Sequence, residues 1–421
     1  MKDARRIVDF DDPTFDPFAT FDRMVGFGEV DDPYPKFHAL HRSGTVLKGD
    51  LRLAFGLQPF PFWTAYPSWI VSGYDSVARV YGDAETFSSS IWRPFLSAVG
   101  DSINAMDAPD HPRYRRLFQK AFMPQTVARW GNVLVPRVVN GLIDGFADRG
   151  RADLVSEFTA LYPFNFIYGQ LRLPLEDRAV FHKFAVGLMC FGIDSFHALE
   201  ASRKMGDYFT LLLKERRSAL EHGTVTAEDD LISLLAVAEV DGERLPDGIA
   251  VSFLRQLMNA AGDTTYRSTS ILLVGLLTHP QQLEAVRRDR TLVPQAIEEA
   301  LRWDAPLPFG ARLAVRDVSL DGVAIPAGSK VDLVLGSANR DPARFENPDD
   351  FNIARKAERH LTFAYGPHVC MGQHLARLEM TRALNALLDR LPNLRLNPDM
   401  PAPRIVGLNS RAPSAIHVVF D

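Results

Sequence analysis

The 421 residues contain two cysteines, and one of them has neighbours that can give it chemistry. Cys370 stands in Phe363-Ala364-Tyr365-Gly366-Pro367-His368-Val369-Cys370-Met371-Gly372. Gly366 and Pro367 interrupt regular structure just before it. Directly after it, Leu375, Ala376, Leu378, Met380, Ala383, Leu384, Leu387, Leu388 and Leu391 recur at helical spacing. The thiol is therefore expected where a tight loop enters a helix. Free N–H groups and the positive end of the helix dipole favour a thiolate there. A lone cysteine cannot build a zinc site, which takes about four protein ligands. It can be the single axial ligand of a haem iron, whose in-plane ligands come from the porphyrin. The other reading is a buried apolar thiol in a core loop. The flanking residues and two further motifs favour the ligand.

The stretch resembles the haem-binding loop of the cytochrome P450 family. That loop reads Phe-x-x-Gly-x-His/Arg-x-Cys-x-Gly and runs into a helix opening on Leu-Ala-Arg. The matching residues are Phe363, Gly366, His368, Cys370, Gly372 and Leu375-Ala376-Arg377. Ala364 departs from the pattern, since the family usually has glycine there. Its methyl group crowds the loop but removes no chemistry.

A second segment, Ala260-Ala261-Gly262-Asp263-Thr264-Thr265, falls at the centre of a helix expected over 246–278. A helix built only for stability avoids this choice. Gly costs about 1 kcal/mol against Ala, and Thr hydroxyls bond the preceding turn and bend the helix. An acid–alcohol pair among apolar neighbours points to proton handling at a local distortion; a kink with capped polar groups is the alternative. The segment resembles the family's oxygen-activating Ala/Gly-Gly-x-Asp/Glu-Thr stretch, with Asp263 and Thr264 in the matching places and Ala261 where glycine is usual.

A third segment, Glu299-Ala300-Leu301-Arg302, puts an acid and a base three apart on a helix expected over 294–303. Such pairs are common on surfaces and contribute little there. In the family, Glu-x-x-Arg joins an arginine from a Pro-x-Arg-Phe-like segment. Pro342-Ala343-Arg344-Phe345 supplies Arg344 for that buried network. His111 and Arg115, four apart in the stretch Asp110–Leu117 that heads a helix expected to run to about Phe122, correspond to a family pair that contacts a haem propionate. A guanidinium fork suits such a carboxylate. Arg312 and His368 also match propionate partners. Arg113, Arg116 and Lys120 are expected to face solvent, and with Arg377 to form a basic patch.

Helices are expected over 32–42, 74–81, 127–147, 154–169, 175–189, 199–222 and 231–240, and strands at 69–71, 312–315 and 318–322. Alternating Ile416, Val418 and Phe420 suggest a terminal hairpin. The irregular apolar stretch 87–106 reads as a binding-site lining or as ordinary packing under a loop. Cys190 reads as a core thiol. Two cysteines make no disulfide framework, which fits a reduced cytoplasmic setting. The charged opening lacks the apolar segment of a signal peptide. No run approaches the ~20 apolar residues of a membrane span, and a net charge of -5 gives no reason to expect nucleic-acid binding.

The resemblance, from about residue 32 to the end, implies one mainly α domain over 1–421. Its smaller β-rich portions lie near 45–72, 309–335 and 401–420, and a long central helix crosses over the haem. It implies haem b, held by Cys370 with Phe363, Gly372, His111, Arg115, Arg312 and His368 around it. It implies a monooxygenase acting with O2 on an apolar substrate. Electrons would come from a separate ferredoxin and ferredoxin reductase, with no nucleic acid or membrane as partner. A peroxide-using peroxygenase and a haem-thiolate sensor are the competing classes; Asp263-Thr264 argues against both. Expected pocket residues are Trp92, Phe95, Leu257, Met258, Ala261, Leu307, Phe309 and Leu408.

Overall fold

The computed structural model describes residues 6–421; the charged opening, 1–5, lies outside the described residues. Helices run in the order α1 (Pro17–Val25), α2 (Tyr34–Ser43), α3 (Leu51–Ala54), α4 (Tyr74–Gly82), α5 (Leu96–Val99), α6 (Asp110–Ala121), α7 (Pro124–Ile143), α8 (Tyr162–Gln170), α9 (Arg178–Met189), α10 (Ser195–Glu221), α11 (Leu231–Ala236), α12 (Asp247–Thr278), α13 (Pro280–Arg288), α14 (Val293–Trp303), α15 (Leu335–Ala338) and α16 (Gln373–Arg390). Strands β1 (Val46–Lys48), β2 (Ser68–Val71), β3 (Phe87–Ser88), β7 (Gly310–Ala314) and β10 (Ser329–Leu333) form one sheet in the order β1-β2-β10-β7-β3, with β2 and β10 parallel. The small strands β4 (Arg151–Asp153), β5 (Glu239–Val240), β6 (Glu243–Arg244), β8 (Val318–Leu320), β9 (Val323–Ile325), β11 (Arg395–Leu396), β12 (Ile405–Val406), β13 (Ala412–Pro413) and β14 (His417–Val419) complete the β structure.

The mainly α reading holds, and β1 and β2 of the portion near 45–72 share one sheet with β7 and β10 of the portion near 309–335 and with β3, while β8 and β9 pair apart. Four expectations differ, and the first is the helix expected over 231–240, which ends at Ala236 because Glu239–Val240 turns into strand β5 paired with β6. The helix expected over 154–169 is divided, a π-turn at Val155–Thr159 preceding α8. Pro163 lies in the first turn of α8, where its missing N–H is harmless. The segment 175–189 opens with a 3₁₀ turn before α9. The tail makes no single hairpin: β12 and β13 pair together, whereas β14 lies between β11 and β4. Ile416, Val418 and Phe420 are buried as their alternation required. Only the partner strands were misread, because alternation fixes which face is inward and not what lies alongside.

The largest apolar core surrounds α12, which packs against α8, α9, α10, α14 and α16. The expected distortion at its centre is absent. The helix is continuous, and Ser252, Thr264, Ser268 and Thr269 donate their hydroxyl protons back to carbonyls four residues earlier. Gly262 is explained by packing: a Cβ there would lie 2.3 Å from the Phe164 ring of α8.

Candidate active site

Three backbone hydrogen bonds shape the loop before α16. Ala364 N–H donates to Leu361 O at 2.7 Å, Val369 N–H to Gly366 O at 3.1 Å, and Cys370 N–H to Phe363 O at 2.9 Å. Gly366 has φ +68°, and a Cβ there would sit 2.4 Å from Tyr81 O, so only glycine fits. Ala364 has φ +59°, a left-handed conformation costing an L-residue roughly 1–2 kcal/mol. Ala364→Gly is expected to stabilise the protein by about 1 kcal/mol and raise its Tm by a few degrees in a thermal melt.

Cys370 lies just ahead of the first turn of α16, and the Gly372 and Gln373 N–H groups point at its sulfur. The residue carries accessible surface, yet burial dominates its titration and pushes the thiol up, against the pull of those N–H groups and of Arg115 and Arg377. The accessible sulfur therefore faces an internal space rather than bulk water. Ala260, Ala261 and Thr264 likewise carry accessible surface in the middle of an otherwise buried α12.

Beside the loop lies a cluster of cations and imidazoles. The Arg115 guanidinium donates to Val369 O. Arg312 is buried over the Tyr81 ring at 4.8 Å and donates only to Ala311 O of its own strand, at 2.9 Å. The His111 and His368 rings stack at 3.8 Å. Ser89 Oγ lies 3.0 Å from His368 Nε2, whereas buried His111 Nε2 has no partner. Burial, reinforced by Arg115, depresses His111 to about 4, and burial, with Arg312, His111 and Arg115, depresses His368 to about 2. Burial also lowers Arg115 and Arg312. Among the described residues no carboxylate forms an ion pair with either guanidinium; Asp107, nearby, accepts from Ser89 N–H at 2.9 Å instead. A buried cation such as Arg312 is costly without a counter-ion, and a guanidinium fork is suited to a carboxylate.

On α12, Arg267 Nε lies 3.0 Å from both Asp263 oxygens, and both side chains are buried. Burial lowers Arg267, but the Asp263 carboxylate outweighs it and holds the guanidinium above its usual range. Thr264 Oγ1 donates to Ala260 O at 2.9 Å. Its proton is thus committed to the helix, and it presents lone pairs to any group beside it.

The cytochrome P450 family model matches residues 184–406. The chain is 34% identical over 398 residues to the cytochrome P450 monooxygenase PikC of Streptomyces venezuelae, covering 90% of each. The chain belongs to the cytochrome P450 family. It is 33% identical over 379 residues to the biotin biosynthesis cytochrome P450 of Bacillus subtilis, covering 87% of this chain and 90% of that one. The P450 fold is shared with the polyketide synthase P450 PksS of Bacillus subtilis, at TM-score 0.82 and 27% identity over 97% of this chain and all of that one. P450BioI, solved in complex with an acyl carrier protein bearing hexadec-9Z-enoic acid, superposes at TM-score 0.80 with 30% identity, over 93% of this chain and 99% of that one.

P450s are oxidoreductases that bind iron protoporphyrin IX through a cysteine thiolate. The residues present fit that group: one accessible thiol at a helix start, and beside it an orphaned imidazole nitrogen and two guanidiniums without carboxylates. Among the described residues no group of three His, Cys, Asp or Glu could hold a metal by itself, and no helix is long and apolar enough to cross a membrane.

The Glu299 network stands with one correction. Arg302 bonds both Glu299 oxygens at 2.8 Å and reaches the Asn339, Pro348 and Asp350 carbonyls. The second arginine on Glu299 is Arg355, at 3.2 Å from both oxygens. Arg344 instead pairs with Glu358 at 2.9 Å, and its side chain is 44% exposed. Two arginines eleven positions apart look alike in sequence; the path of the loop decides which one turns inward.

The pocket residues divide. Ala261 and Phe95 are partly buried against the core around α12, where Leu257 is buried. Met258 and Leu408 are fully enclosed and can line no open space. Leu408 packs with Val30, Tyr34 and Phe37 in a separate core that Phe309 joins. Leu307 is exposed, and Trp92 is packed edge-on against Trp63 at 4.9 Å, bonded to Ala311 O. The basic patch also shrinks, since Arg113 pairs with Asp241 and Arg377 with Glu298, at 2.6 Å each. Phe363 lies under the Arg377 guanidinium, 4.5 Å from its ring centre. Cys190 is a buried thiol bonded to backbone carbonyls, as expected. Arg267 and Ser89 were missed; an acid–base pair four apart on α12 was the signal for the first.

Proposed function

We propose that this P450 inserts one oxygen atom from O2 into an apolar organic substrate. The second atom leaves as water, with two protons and two electrons from a separate ferredoxin and its reductase. The observation that carries this reading is the accessible Cys370 thiol at the start of α16, flanked by His111, Arg115, Arg312 and His368 with no carboxylate of their own.

The bound haem supplies oxygen activation, made easier by the electron-rich thiolate. The chain's residues do the rest. Arg115, Arg312 and the two imidazoles hold the propionates. Gly372 and Gln373 N–H groups stabilise charge on Cys370 sulfur. Thr264 offers its hydroxyl lone pairs on the chamber side of α12. Asp263, next to it, passes protons when Arg267 releases a carboxylate oxygen. Phe95, Leu257 and Ala261 keep the chamber apolar. Exposed Arg116 and Lys120 are what remains of the basic patch for the electron donor.

Thr264→Ala tests the reading. It removes the lone pairs and leaves the thiol and cation cluster untouched. Product formed per NAD(P)H consumed is expected to fall by about an order of magnitude, with peroxide making up the difference. Unchanged coupling would remove Thr264 from the mechanism.

A further inference from the structure

Arg267 is only 5% exposed, yet Asp263 engages one nitrogen of its fork. Both carboxylate oxygens lie 3.0 Å from Nε, and among the described residues neither Nη group donates to an acceptor. The donors of both Nη groups are thus left over on a buried cation. The guanidinium lies between two rings, 4.8 Å from Tyr266 of its own helix and 5.4 Å from Phe21 of α1. Helix α1 is what covers this spot. Asp16 caps it by accepting from the Phe18 and Ala19 N–H groups, and Phe21 belongs to its buried face. It packs on α9, where Phe18 meets the His182 ring edge-on at 5.1 Å. Asp22 follows Phe21 and stays at the solvent edge. Its charge still reaches inward: shelter raises its carboxyl, Arg267 pulls it down, and Asp16 and Asp263 push it up. Arg267 therefore stands in the field of two carboxylates, buried Asp263, which it holds, and Asp22, which borders water.

We propose that Asp22 is the outer post of a switch: Arg267 leaves Asp263 for Asp22 each time Asp263 takes up a proton, which makes Asp22 a positioning residue for proton delivery. The inference rests on the role given to Asp263 in the monooxygenase reading. Water at the edge of α1 supplies the proton. Asp263 becomes neutral, while the guanidinium keeps its own proton and has its charge matched by Asp22. Once Asp263 has passed the proton to the chamber side of α12, it is a carboxylate again and recovers Arg267. Without Asp22 the departing guanidinium would be a buried cation with no anion, which is costly, and Asp263 would stay locked. His182, sheltered between Phe18 and Phe164, is the competing entry; burial depresses it to about 4, against the pull of Asp263.

The test uses holoenzyme and two measurements, of which the first needs no turnover. In thermal melts, Asp22→Asn alone should lower the Tm by about 2 °C or less, because Asp263 still holds Arg267. Added to Asp263→Asn, the same substitution should lower it by several degrees more than it does in the wild type, because Arg267 then loses its remaining anion. Equal losses in both backgrounds overturn the proposal. The second measurement is NADH consumption through a surrogate ferredoxin and its reductase, without added substrate, in H2O and D2O. Asp22→Asn should consume NADH about tenfold more slowly with a larger solvent isotope effect, and Asp22→Glu should recover most of the rate. An unchanged rate and isotope effect in Asp22→Asn overturns the proposal, and so does a deficit found in His182→Gln but not in Asp22→Asn. Asp263→Asn separates the failures. If it is slow while Asp22→Asn is not, only the switch is lost; if it keeps the full rate, the role of Asp263 beneath the switch is lost as well.

Discussion

Asp263→Asn is expected to slow product formation about a hundredfold and to leave the haem spectrum unchanged. The amide cannot shuttle a proton, although it fills the same space on α12. The substitution also strips the counter-ion from buried Arg267, whose Nε reaches both Asp263 oxygens. Breaking a buried pair from one side costs about 3 kcal/mol. Asp22, whose negative charge also reaches Arg267, offsets part of that. Asp263→Asn should therefore melt several degrees lower, and Asp263→Asn with Arg267→Met should recover stability but not turnover. Steady-state product formation in H2O and D2O, beside thermal melts, checks both halves. Full turnover in Asp263→Asn would mean that the carboxylate serves only to satisfy Arg267. Recovery of turnover in the double variant would mean that the single substitution acted through folding.

Glu299→Ala is expected to prevent accumulation of folded protein. Glu299 receives Arg302, Arg355 and the Asn352 N–H, at 2.8–3.2 Å. Its loss leaves Arg302, buried over the Phe345 ring, without its anion. Removing one partner of a buried network costs about 3–5 kcal/mol, a large share of the roughly 5–15 kcal/mol of a whole domain. The paired comparison is sharper: Arg355→Ala should lower stability by several kcal/mol, whereas Arg344→Ala, at an exposed pair, should change it by about 0.5 kcal/mol or less. Denaturant midpoints of these two variants decide which arginine belongs to the network. Equal midpoints, or a larger loss for Arg344→Ala, would reverse the assignment.

What could be read from residues alone depended on how locally each feature was encoded. The Cys370 loop was legible because its glycine, its proline and the helix after it lie within one short segment. Glu299 and Arg302 share a helix and were legible together, whereas Arg267, which shares α12 with Asp263, was missed although its spacing of four was in view. Arg355 was not legible, because its place on Glu299 is set by a loop returning from elsewhere. Ala364 was seen as crowding; its positive φ shows that the cost lies in the backbone and not in contact. Leu408 and Met258 were apolar and suitably placed in sequence, but apolarity does not distinguish a pocket wall from a filled core.

The most direct test of the whole account is the absorption spectrum of the dithionite-reduced protein with carbon monoxide, beside that of Cys370→Ala. A strongly red-shifted Soret band in the wild type, absent from the variant, is the expected result and would establish Cys370 as the thiolate ligand. A band typical of histidine ligation, or a red-shifted band that survives in Cys370→Ala, would contradict the account at its centre.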